Sequence, residues 1–187
     1  MAFRHHRPGP NGRRMMLPIF DVFLQIALRR RGPEDLPDSQ FLLLIAGLAY
    51  LATQAVLALP VYGTVPVIIS SLALDVLLVC GLLWGLLRLS GHTTRFRQTL
   101  TAIFGTGALL GACMLPFNYW LDRVAASGSS AVGPRIALLA IISWWVVVNG
   151  HIFSRALSAP FAAGLAIAVG YFFLNYFVFA QFGPAPG

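Results

Sequence analysis

Between Phe41 and Ala180 the chain is divided into five apolar runs, and every charged residue there except Asp75 sits at the end of a run or between runs. The runs extend over about Phe41–Leu59, Val65–Leu89, Gln98–Leu121 and Arg135–Phe153, with a last one after Ser158 and Pro160 to about Ala180. Crossing the hydrocarbon core of a bilayer takes about 20 apolar residues in a helix. Soluble domains carry about 25% charged residues. Here only 10% are charged and 58% are hydrophobic, which excludes an ordinary soluble fold. The pattern predicts an all-α, polytopic membrane bundle of five transmembrane helices, preceded by a short amphipathic helix. The divisions are a basic tail over 1–16, an interfacial helix and linker over 17–40, the five-span domain over 41–181 and a short tail over 182–187.

The third run is unusual in being made mostly of small residues. Gly107 and Gly111 form a GxxxG pair, Thr101 and Gly105 a second small-xxx-small pair, and Ala108 and Ala112 a third. In lipid, helices associate where small side chains let backbones approach. A helix small on several faces belongs in the middle of the bundle. Gly81 and Gly85 give the second run a packing face, and Ala162, Ala166 and Gly170 give one to the fifth.

Ahead of the spans, residues 1–16 are rich in Arg, His, Pro and Gly, a composition expected to be disordered. Leu17 to Arg31 has Phe20, Phe23, Leu24 and Ala27 on one helical face and Asp21, Gln25 and Arg29 on another. It is too short to span. It suits either the headgroup layer, with its arginines on anionic lipid, or a berth under the bundle. Gly32-Pro33 is expected to end it, and Asp38 or Ser39 to cap the next helix.

Charge placement predicts orientation. The net charge of +7 comes from thirteen arginines with no lysine. Arg4, Arg7, Arg13, Arg14, Arg29, Arg30, Arg31, Arg88, Arg95, Arg97 and Arg155 fall on one side of the predicted membrane, and only Arg123 and Arg135 on the other. The positive-inside rule then puts the N-terminus in the cytoplasm and the C-terminus outside. Phe117, Tyr119 and Trp120 fall at the outer interface. Basic charge gathered at the ends of apolar runs points to lipid and not to nucleic acid.

Asp75 is the one acidic residue well inside a run, about 15 Å deep at helical rise. An intramembrane carboxylate is costly and by default functional. Thr53, Gln54, Thr106, Ser143 and Tyr171 fall at similar depth and are its candidate partners. Two readings stand: a proton or ion relay, and a protonated carboxyl whose hydrogen bond fixes helix register. At the predicted cytoplasmic face, Arg29, Arg30, Arg31, Arg95, Arg97 and Arg155 are candidates for anionic headgroup contacts, because arginine forks match phosphate oxygens. The competing reading is a set of charges that snorkel to water and fix orientation. His92, His151 and Asn149 lie near the same level.

Signals of enzyme chemistry and of cofactors are missing from the sequence. There is no HExxH, no P-loop and no GxSxG elbow, and Gly105-Thr106-Gly107 lies in a span without a preceding strand. Cys80 and Cys113 sit in apolar runs without CxxC spacing or a nearby histidine, which implies core residues and no metal.

Two stretches carry a family likeness: Phe96-Arg97-Gln98-Thr99-Leu100 through Gly105, Gly107 and Pro116, and Trp144 through His151 and Arg155-Ala156-Leu157 into the aromatic fifth span. With five spans, they make residues 40 to 180 resemble the bacterial branch of the Yip (Ypt-interacting protein) family. The resemblance implies a five-helix fold and an interacting membrane protein. Eukaryotic members associate with small GTPases and with one another. Their Asp-Leu-Tyr-Gly-Pro motif has no counterpart here, so the likeness assigns no site residues and no GTPase contact. The expected function is that of a non-enzymatic interaction or scaffold protein of the bacterial cytoplasmic membrane, with the lipid bilayer and other membrane proteins or a second copy as partners. The alternative is a small transporter or channel subunit using Asp75.

Overall fold

The computed structural model describes residues 13–180, with side chains from residue 20 onward. Six helices, and no strand among the described residues, make up the fold: α1 (Arg13–Ala27), α2 (Gln40–Tyr62), α3 (Val65–Leu89), α4 (Phe96–Ala126), α5 (Val132–Ala156) and α6 (Phe161–Ala180). The last five are long and apolar enough to cross a membrane, with mean hydropathy between 1.7 and 2.3. The protein is an integral membrane bundle. Helix α1 begins at Arg13, inside the stretch 1–16 expected to be disordered. The rest of that segment and the tail at 182–187 lie outside the described residues.

The centre of the bundle is α4. Over its most apolar stretch 56% of the residues are buried, against 17% to 33% in the other spans. Its glycines explain how neighbours come so close. A methyl group at Gly107 would lie 2.8 Å from the Tyr50 ring of α2, and one at Gly111 would lie 2.8 Å from Thr53 Cγ2. At Gly105 it would overlap the ring of Phe23 in α1. Small residues thus admit α2 on one side of α4 and α1 on another, the close approach that lipid-embedded helices use.

The small-residue faces of α3 and α6 differ from expectation. Gly81 and Gly85 meet nothing within 4 Å among the described residues, and neither does Gly170. The close crossing between α5 and α6 uses Gly150 and Gly164 instead. A methyl at Gly150 would press on Leu165 Cα at 2.9 Å, and one at Gly164 would overlap the Gly150 carbonyl and lie 2.6 Å from Ser154 N. Spacing alone reveals small-residue pairs on a helix. It does not say which way they face.

α1 packs against α4 and α5 through Phe23, Ile26 and Ala27, all buried, while Phe20 and Leu24 are exposed. The docked stripe is therefore shifted from the one that the periodicity suggested. Trp144 Nε1 donates to Ala27 O at 3.0 Å and fixes the helix end on α5. Termination comes before Gly32-Pro33, because Arg29 takes a left-handed φ of 60°. Arg30 N reaches back to Gln25 O at 2.8 Å, closing the helix end. Ser39, not Asp38, caps α2, its Oγ accepting from Leu42 N at 3.3 Å. Gly63, with φ 64°, ends that helix in the left-handed conformation that glycine tolerates.

Candidate functional site

Two polar constellations stand out, one at the arginine-rich end and one at mid-depth. At the first, the segment between α1 and α2 is strapped across the ends of α4 and α5. Arg97 pairs with Asp38 at 2.8 Å, Arg155 pairs with Glu34, and Gln98 Nε2 donates to Leu36 O at 2.9 Å. A His151 ring nitrogen lies 2.9 Å from Arg31 O. Leu36 is buried beneath this strap.

Arg95 serves a different purpose. Its Nη1 donates to Arg155 O and Ala156 O, both at 3.2 Å, and to Ser158 Oγ at 2.8 Å. Two of these acceptors are carbonyls in the last turn of α5, where intrahelical donors run out, so the guanidinium caps that helix. Arg29 lies over the Phe161 ring, 4.3 Å from its centroid. Of the six arginines expected to meet headgroups, Arg95, Arg97 and Arg155 are therefore committed to protein partners, and Arg29 to a ring. Of the six, only Arg30 and Arg31 project exposed side chains with no hydrogen bond, ion pair or ring contact among the described residues. The sequence could not reveal the acceptors, which are mainly main-chain oxygens and acids distant along the chain.

The mid-depth site is built on three helices. Tyr50 Oη donates to Asp75 Oδ2 at 2.5 Å, and Tyr171 Oη to Asp75 Oδ1 at 3.5 Å. Tyr50, Asp75 and Tyr171 each lie ten positions after the first residue of their helices, Gln40, Val65 and Phe161. At about 15 Å along each axis, that is the middle of a hydrocarbon core about 30 Å thick. The Tyr50 ring is held by stacking on Phe104, 5.0 Å between centroids, and the Tyr171 ring lies 6.1 Å from that of Trp145. Both carboxylate oxygens therefore face a phenol on a fixed ring.

Asp75 sits on the wall of a groove of about 350 Å³ that runs from this cluster toward Tyr62 and Phe179 at the ends of α2 and α6. The lining is mainly apolar and aromatic, with Gln54, Ser71 and Asn175 adding polar groups. Concave, mostly apolar walls with a few convergent polar groups are the usual form of a small-molecule site.

The structure redraws the expected cluster. Tyr171 contacts Asp75, and Gln54 lines the same groove. Thr53 turns its hydroxyl to Ala49 O at 2.9 Å and packs its methyl on Gly111. Thr106 is buried in α4, bonded to Ala102 O at 2.7 Å. Ser143 is exposed and bonded to Leu139 O at 2.8 Å. These three satisfy themselves on their own helices and are not partners of Asp75. Tyr50 does not emerge from depth alone, which points to Thr53 and Gln54 in the same helix. It lies one helical turn before Gln54, just as Ser71 precedes Asp75 and Asn175 follows Tyr171, so i±4 spacing was the available signal.

Compared with protein-family models, with curated proteins and with solved structures, the chain matches none.

Proposed function

We propose that this integral membrane protein binds a small ligand in the groove at Asp75 and works as a small transporter or a subunit of one. The observation that supports this reading is the carboxylate itself: it lies at mid-membrane depth, held by two phenols, on the wall of an accessible groove. A carboxyl that served only to fix helix register has no need of a groove beside it. Intramembrane ionisable groups that line cavities mark substrate and ion pathways. Neither binding nor transport asks for a catalytic step.

In this reading the membrane is the bacterial cytoplasmic membrane, with the N-terminus in the cytoplasm and the C-terminus outside, as the arginine distribution favours. The groove then opens toward the outer face. Modification of Asp75 by a water-soluble carbodiimide in sealed, right-side-out vesicles tests both points. Modification from outside is expected. An Asp75 untouched from either side overturns the proposal.

A second reading has its own observation. Gly81 and Gly85 lie on α3 facing no described neighbour, and a bare small-residue face is where another transmembrane helix docks. Scaffolding, through a second copy or another membrane protein, would use that face, in keeping with the Yip-like resemblance. Gentle-detergent purification followed by mass spectrometry distinguishes them. A stoichiometric partner lost on Gly85→Leu favours scaffolding, and a lone chain that binds ligand favours the groove.

A further inference from the structure

Resting on the groove reading above, we propose that the ligand is an organic cation with an apolar body. The argument begins with what Asp75 lacks. Among the described residues its carboxylate has no arginine or histidine partner: the ion pairs are Arg97–Asp38 and Arg155–Glu34, both at the arginine-rich end. The described lining of the groove holds no basic side chain. Two phenols donate to the carboxylate, yet each of its oxygens retains acceptor capacity. An anion placed here meets a carboxylate and no compensating positive charge.

The rest of the lining favours positive charge. Tyr50 and Tyr171 hold the carboxylate, and Trp145, Tyr62, Phe172 and Phe179 line the same groove. Aromatic faces carry negative electrostatic potential, and a cation within about 6 Å of a ring centroid is attracted to it, most strongly by tryptophan. Trp145 and Tyr171, with ring centroids 6.1 Å apart and planes inclined by 32°, form a two-ring wall of the groove, and its Tyr171 hydroxyl reaches Asp75. A carboxylate next to such a wall selects a positive head. The apolar walls contributed by Leu57, Leu72, Met114 and Ile142 suit a hydrocarbon body. Together these are the requirements of a lipophilic ammonium or phosphonium ion, and a strongly hydrated inorganic cation would find too few oxygen ligands.

The test uses the full chain in nanodiscs of phosphatidylcholine, with empty discs as the partition control. The probes are tetraphenylphosphonium and tetraphenylborate, which share a shape and differ in sign. Saturable binding of one phosphonium per chain is expected, with borate bound no more than by empty discs. Asp75→Asn is expected to weaken phosphonium binding at least about tenfold, and Trp145→Leu about three- to thirtyfold. If Asp75→Asn does not fold, as judged by thermal unfolding, Trp145→Leu carries the test. Borate binding as tight as phosphonium binding overturns the proposal, as does unchanged phosphonium binding in the folded variant. Carbodiimide modification separates the two levels of argument. If Asp75 is modified but no phosphonium binds, the cation assignment fails and the groove stands; if neither occurs, both fail.

Discussion

Tyr50 of α2 donates a 2.5 Å hydrogen bond to Asp75 of α3, tying consecutive spans together near their midpoints. The phenol ring also stacks on Phe104 and covers Gly107. Tyr50→Phe therefore removes the bond and keeps the packing. Interhelical hydrogen bonds in membranes average about 0.6 kcal/mol and reach about 1.7. A loss in that range is expected for Tyr50→Phe in detergent unfolding. Tyr171→Phe should cost less, because its bond to Asp75 is 3.5 Å long. The reverse order would mean that Tyr171 is the main anchor of the carboxylate.

The glycines divide by what faces them. At Gly164 an added methyl meets the Gly150 carbonyl and the Ser154 backbone, neither of which can turn aside. Gly164→Ala must therefore push α6 off α5, at a cost of about 1–3 kcal/mol. At Gly105 the obstacle is the Phe23 ring, so Gly105→Ala should mainly loosen α1 and expose its junction to protease. Gly81→Ala should leave the stability of the single chain unchanged. Thermal unfolding of the three variants, with limited proteolysis of the second, checks this order.

Arg95 and Arg97 differ in what they hold although they are two residues apart. Arg95→Gln removes three hydrogen bonds at the end of α5, and about 1–2 kcal/mol of stability should go with them. The Arg97–Asp38 pair is about half exposed on both sides, and such surface pairs contribute under about 1 kcal/mol. Arg97→Gln should be close to neutral. Chemical unfolding of both variants in the same detergent gives the comparison.

The architecture was legible because lipid imposes a coarse rule. Twenty apolar residues make a span, and the small residues of Thr101–Gly111 mark a helix that others must approach closely. Both are properties of one segment read alone. Facing is a property of two segments, which is why Gly81–Gly85 reads in the sequence as a packing pair no less than Gly150–Ser154 and Gly164–Ala168, although only the latter two helices meet closely at their glycines. The same limit governs the polar residues. Asp75 announces itself by its cost in hydrocarbon. Thr106 and Ser143 can each satisfy a hydroxyl on a carbonyl of their own helix, so depth alone does not make them partners. Tyrosine conceals its part, since its ring suits the core and its hydroxyl is free to serve any acceptor in reach.

Of the six candidate headgroup arginines, Arg30 and Arg31 are the two whose side chains are left free of protein contacts among the described residues and so open to anionic lipid. Each basic residue near an anionic surface contributes about 1 kcal/mol, so Arg30→Gln with Arg31→Gln should reduce the preference for phosphatidylglycerol by about thirtyfold at low salt. Quenching of tryptophan fluorescence by brominated phosphatidylglycerol gives a direct reading, because Trp144 is bonded to Ala27 beside this segment. The preference should decline as salt shortens the screening length. Arg95→Gln with Arg97→Gln should leave it unchanged, since those guanidiniums are already engaged by α5 and by Asp38. If the Arg95 and Arg97 pair of substitutions abolished the preference instead, the strap would have to open in the bilayer and release its arginines to lipid.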